Sequence, residues 1–134
     1  MNRAAEAAAG QAGLVFRDAI TSMTIADAFG ILNGGDNAAT DTFRDRTRPT
    51  LEARYLPITR AAMQDVGLAR RYSELLARYN SIPLVQKPAL VELDQYVTAR
   101  ALDGLFAVLA TEEAKIRQDP AARTTELLRR VFGR

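Results

Sequence analysis

The sequence predicts an all-α fold, and three observations predict it. Apolar side chains recur every three or four residues through most of the 134-residue chain, which is the spacing of one helix face. No stretch alternates apolar and polar residues as a half-buried strand does. The run Ile31-Leu32-Asn33-Gly34-Gly35-Asp36-Asn37-Ala38-Ala39-Thr40 stops one helix and starts another within a few residues. Asn33, Gly34 and Gly35 suit the left-handed backbone that closes a helix, and Asp36 suits the cap of the next. The expected architecture is a single-domain bundle, residues 1–134, of six to eight helices around a long central helix at about 93–117.

Taken in order, residues 3–20 are Ala-rich, with apolar side chains at Ala5, Ala8, Ala12, Val15, Phe16, Ala19 and Ile20. Gly10 and Gly13 predict a kink or break there. Thr24-Ile25-Ala26-Asp27 has the form of a capping box for a short helix ending at Asn33-Gly34. Asp36 opens a helix to about Thr47, and Pro49 sits in the first turn of the next. That next stripe is Leu51, Tyr55, Ile58, Ala62 and Val66, with Pro57 predicting a kink or a split. Gly67 is a stop. Leu68, Tyr72, Leu75, Leu76 and Tyr79 line one side of the following helix.

Asn80 to Val91 holds Pro83 and Pro88 and reads as a loop whose Ile82, Leu84 and Val85 pack onto the core. From Leu93 a long helix carries Val97, Ala101, Leu102, Leu105, Phe106, Val108, Leu109 and Ile116, a stripe wide enough for a central element. Asp119-Pro120 restarts the chain as N-cap and first helical residue, and the last helix carries Leu127, Leu128, Val131 and Phe132.

Composition removes whole reaction classes. The chain has no Cys, His or Trp. Nucleophile pairs that depend on His or Cys, the usual zinc sites, and haem or iron–sulfur ligation are therefore absent. No apolar run approaches the roughly 20 residues that span a bilayer. No catalytic residue, cofactor or metal site is expected. The 18 basic residues are 16 Arg and two Lys, against 16 acids, for a net charge of +2. That small excess disfavours a nucleic-acid partner.

Four groups are candidates for a functional surface, each beside a plainer role. Asp36, Asn37, Thr40 and Asp41 follow the double glycine as an oxygen-rich or anion-binding corner, or simply as helix capping. Glu112 and Glu113 are paired carboxylates of the kind that glycan cleavage uses, yet Glu113 is also spaced to pair with Arg117 on the helix surface. Arg44, Arg46 and Arg48 form a basic run. Nearby acids neutralise it: Asp41 reaches Arg44 and Asp45 reaches Arg48, as Glu74 reaches Arg78 elsewhere. Tyr55, Tyr72, Tyr79 and Tyr96 read as half-buried packing residues with wet hydroxyls.

Several long blocks resemble one bacterial family, domain of unknown function 4197. They are Asp27-Ala28-Phe29-Gly30-Ile31-Leu32-Asn33-Gly34-Gly35-Asp36-Asn37-Ala38-Ala39-Thr40; Tyr96-Val97-Thr98-Ala99-Arg100-Ala101-Leu102-Asp103-Gly104-Leu105-Phe106 followed by Glu112-Glu113; Pro120-Ala121-Ala122-Arg123-Thr124-Thr125-Glu126-Leu127-Leu128; Asn80-Ser81-Ile82-Pro83-Leu84-Val85; and the opening Met1-Asn2-Arg3-Ala4-Ala5-Glu6. Gly10 departs from the pattern, where relatives often have Pro. The resemblance implies a helical protein of Gram-negative bacteria, exported to the periplasm or envelope, with no established activity and no catalytic residues to carry over. It also implies that Met1 corresponds to an internal methionine and that an upstream segment is missing. The Ala-rich first helix is then the edge through which the chain self-associates.

The leading functional expectation is a soluble, non-enzymatic envelope module that binds an unknown protein or small molecule through a helical groove. The first alternative is a carboxylate-dependent, glycan-cleaving type of enzyme using Glu112, Glu113 or Asp36. The second is nucleic-acid or anionic-surface binding through Arg44, Arg46 and Arg48.

Overall fold

A computed structural model describes residues 2–83 and 92–133. Six α-helices follow one another: α1 (Asn2–Thr21), α2 (Ile25–Leu32), α3 (Ala38–Asp65), α4 (Leu68–Asn80), α5 (Leu93–Gln118) and α6 (Glu126–Phe132), with a 3-10 turn at Pro120–Ala122 before the last. No strand occurs among the described residues. The bundle is as expected, but its centre is not. The central helix is α3, with α1 and α5 packed along it and α2 and α4 against it. The helix expected at the centre, 93–117, forms as α5 and lies beside α3.

The two prolines explain the shift. A break was expected at Thr47–Pro49 and another at Pro57, yet α3 runs unbroken for 28 residues through both. Proline removes an amide and crowds the carbonyl four residues back, at a cost of about 3 kcal/mol within a helix. Pro49 and Pro57 both lie on the exposed side of α3, as do Asp45 and Ala53, whose carbonyls lose their partners. Water can satisfy those carbonyls, while the opposite side of the same turns is held in the core by Leu51 and Tyr55. Packing on two sides thus overrides the local break.

Leu51, Leu102 and Phe106 are wholly buried, and Ala12, Val15 and Tyr55 close the cluster from α1 and α3. Each large side chain in it contributes about 1.5–3 kcal/mol of burial. Phe16 lies 5.5 Å from Phe43 and meets Phe106 edge-on at 6.3 Å, joining α1, α3 and α5 through one aromatic side chain. Burial pushes the Tyr55 hydroxyl upward in pKa. Tyr72 is half-buried, but Tyr79 and Tyr96 are exposed. Val108, placed in the core stripe by its spacing, is 62% exposed. Ile82 is also exposed rather than packed on the core; Leu84 and Val85 lie outside the described residues.

Local punctuation follows the sequence closely, with three corrections. The capping box forms: the Thr24 hydroxyl accepts from the Asp27 amide at 3.1 Å, and the Asp27 carboxylate accepts from the Thr24 amide at 2.9 Å. α2, however, ends without a left-handed residue, since Asn33 has φ −91°. Gly34 is needed for its size, because a Cβ there would lie 2.5 Å from the Ala38 Cβ and 2.9 Å from the Gly30 carbonyl oxygen. The left-handed glycine is Gly67, φ +65°, between α3 and α4. α1 continues through Gly10 and Gly13. Asp119 does cap Pro120, accepting from the Ala121 amide at 2.9 Å. That start yields only the 3-10 turn, and α6 begins at Glu126 under its own cap, Thr125.

Candidate functional site

Asp36, Thr40 and Glu113 among the candidate residues come together where the end of α2, the start of α3 and the last turns of α5 meet. The first amides of a helix have no partner within it. The N-cap of α3, Asn37, offers no side-chain bond to them, and Asp36 does not cap α3 either. Its Oδ2 instead accepts from Gln118 Nε2 at 2.9 Å.

The cap comes from α5. Glu113 accepts from the amides of Ala39 (2.8 Å) and Thr40 (2.7 Å) and from the Thr40 hydroxyl (2.7 Å). One turn further on, Arg117 donates to Glu113 Oε1 through Nε (3.0 Å) and Nη2 (2.8 Å). Arg117 also donates to the last carbonyls of α2, Ile31 at 2.7 Å and Leu32 at 3.3 Å. An anion therefore sits at the start of one helix and a cation at the end of another, each matching the partial charge of the terminus it faces. The pair was expected on the surface, yet both side chains are only 10% exposed. Phe132 of α6 covers the guanidinium, with 5.4 Å from its ring centroid to Cζ.

Burial pushes the Glu113 carboxyl upward, but the amides of Ala39 and Thr40, the Thr40 hydroxyl and Arg117 outweigh it and hold the group below its ordinary range. Both carboxylate oxygens are occupied by these donors. A group so arranged stays ionised and has neither a proton to give nor a free oxygen to attack with. Its neighbour Glu112 points elsewhere: it pairs with Lys115 at 2.7 Å and is 58% exposed. The two acids do not share a site.

The remaining candidates spread along α3. Asp41 pairs with Arg44 at 2.8 Å, and the Arg44 guanidinium lies 5.4 Å from the Phe106 ring centroid. Arg46 binds Asp27 at 2.6 Å and holds its carboxyl down to about 2. Arg48 was expected to meet Asp45. It binds Asp103 at 2.8 Å and Glu52 at 3.0 Å instead, which raises the Arg48 pKa and lowers that of Asp103. Each arginine of the basic run therefore faces an acid. Likewise Glu74 takes Arg70 in place of Arg78, at 2.9 Å. Among the described residues no three acidic side chains converge to hold a metal ion.

Concave space lies elsewhere. A cleft of about 460 Å³ runs between α3 and α5, with Pro49, Ala53, Leu56 and Ala99 as apolar lining and Glu52, Gln95 and Thr98 as polar lining. A hollow of about 210 Å³, almost wholly apolar, opens between α2, α3 and α6, lined by Met23, Ile31, Phe43 and Phe132 among others. None of the cleft's lining residues was among the sequence candidates except through Arg48, which holds Glu52. The helix stop and start around Gly34 and Gly35 and the i, i+4 spacing of Glu113 and Arg117 each signalled part of the corner in advance. No helix among the described residues is long and apolar enough to cross a membrane.

One family model matches the chain over residues 1–133, that of a protein of unknown function (DUF4197). No curated protein sequence matches it, and no solved structure does.

Proposed function

We propose that this chain, which belongs to the DUF4197 family, is a non-enzymatic binding module of the bacterial cell envelope that takes a small, partly apolar molecule in the cleft between α3 and α5. The cleft itself carries the reading. It has the size of a small-molecule site, mostly apolar lining and a few polar groups to orient a ligand. Its charged lining residue is Glu52, so the molecule that fits best presents an apolar body with a hydrogen-bond-donating head. Support also comes from the carboxylates. Glu113 is consumed by helix capping, and Glu112, Asp36 and Asp41 are dispersed among separate partners. A glycan-cleaving reading needs two carboxyls facing one bond, and the paired arginines Arg44, Arg46 and Arg48 weaken the nucleic-acid reading in the same way. The envelope as compartment rests on the family resemblance alone.

Amide chemical shifts test the cleft, with tryptamine, octylamine and octanoate as probes. The amines are expected to perturb Ala53, Leu56, Gln95 and Ala99 more than octanoate does, and Ala53→Trp or Ala99→Trp is expected to abolish the response by filling the space. Perturbations that scatter over the surface, or that survive both substitutions, overturn the reading. Cell fractionation of the full-length gene product tests the compartment.

A further inference from the structure

Helix α4 presents an apolar stripe that the rest of the described fold leaves uncovered. Leu68, Leu75 and Tyr79 are 41%, 63% and 37% exposed, and Ile82, just beyond the helix, is 51% exposed. Leu75 and Tyr79, seven and eleven residues on from Leu68, fall with it on one line of the helix, and Ile82 follows just past its end. The same helix carries Arg70, Arg71 and Arg78 against one acid, Glu74. Arg71 and Arg78 are exposed and lie seven residues apart, about 60–80° round the helix from that line.

An exposed apolar line with arginines along its border fits the boundary between acyl chains and acidic headgroups. A second copy of the chain would bring these arginines towards their own kind, whereas an anionic surface meets them all with opposite charge. We propose that α4 lays the Leu68–Leu75–Tyr79–Ile82 stripe flat into an anionic lipid surface. At 13 residues the helix is about 20 Å long, too short to cross a hydrocarbon layer of roughly 30 Å, so it lies in the interface. Tyr79 suits the headgroup level, with its ring in the apolar layer and its hydroxyl in the wet one. This surface is separate from the α3–α5 cleft and stands without it.

Co-sedimentation of the intact chain with sucrose-loaded vesicles tests it, using equal parts phosphatidylglycerol and phosphatidylcholine against phosphatidylcholine alone. Binding is expected to the anionic vesicles and to fall with added salt. Leu75→Asp is expected to remove most of it, and the double variant Arg71→Glu, Arg78→Glu to lower it about tenfold or more. Val108→Asp, a change at an exposed apolar residue of α5, is expected to bind as the parent does. Thermal melts are expected to stay close to the parent's because all these positions are exposed, and Tyr79→Ser reads the same stripe if Leu75→Asp melts early. No sedimentation with anionic vesicles overturns the proposal, as does equal binding to neutral ones or unchanged binding by both stripe variants. A dimer in light scattering that Leu75→Asp splits, without vesicle binding, assigns the stripe to a second copy and overturns it as well.

Discussion

The two ends of α5 use the same chemistry to different effect. Near its start, the half-buried Asp94 binds the exposed Arg60 at 2.5 Å, and the exposed Glu92 accepts from Gln95. Near its end, Glu113 and Arg117 form a slightly longer pair, 2.8 Å, but a largely buried one joined to the termini of two other helices. Arg60 lowers the Asp94 carboxyl as the donors around Glu113 lower that one. A lowered pKa alone therefore does not separate the two ends. What separates them is how many polar groups lose a partner if the acid is removed, and how readily water replaces it. At Asp94 that is the Gln95 amide and the exposed Arg60 guanidinium, both within reach of water. At Glu113 it is two amides of α3, a buried hydroxyl and a guanidinium that water reaches poorly.

The contrast can be broken by measurement, starting with the largest effect. Glu113→Ala is expected to cost about 3–5 kcal/mol in urea unfolding, because it leaves a buried cation without its counter-charge. Thr40→Val keeps the shape and removes one donor to a charged group, with an expected cost of about 1.5–3 kcal/mol. Acid titration comes next. The folded carboxyl of Glu113 lies below its ordinary value of 4.5, so its stabilisation is complete above that value and is lost as pH falls through the lower, folded pKa. Glu113→Gln is expected to flatten this limb of the stability–pH curve, starting from a lower plateau. Finally, Glu112→Gln and Asp94→Asn are each expected to leave the urea midpoint at neutral pH close to the parent's, since surface ion pairs contribute little. If Asp94→Asn cost as much as Glu113→Ala, burial would not be what distinguishes the two ends.

Much of the bundle was legible in the sequence because helix punctuation is local. Thr24 and Asp27 reach each other within one turn, Gly67 takes its positive φ beside its own neighbours, and Leu102 and Phe106 sit at helical spacing. The central role of α3 was not legible, because Pro49 and Pro57 are breakers to any local reading. Only the packing of α1 and α5 on the far side of the same turns shows why they are tolerated. The corner was half legible. The unmet termini around Gly34 and Gly35 were visible, and so was the Glu113–Arg117 spacing, but nothing local says that one completes the other. For the same reason Arg48 was assigned to Asp45, three residues away, when its main partner, Asp103, lies on another helix. The α3–α5 cleft was not visible at all, since its lining from Pro49 to Leu56 and from Gln95 to Ala99 comes together only when two helices pack.

The distance along the chain between the corner and its cap has a consequence for synthesis. Thr40 and the acid it donates to are separated by 73 positions, and Ile31 and the guanidinium it accepts from by 86. A ribosome working from the N-terminus releases the α2–α3 turn long before it makes the residues that complete it. A nascent chain stopped short of 113 would hold that turn with its amides facing water, protected only by local contacts. Completion of the corner is in this sense a late event, and hydrogen exchange at the two amides it closes, those of Ala39 and Thr40, would time the arrival of α5.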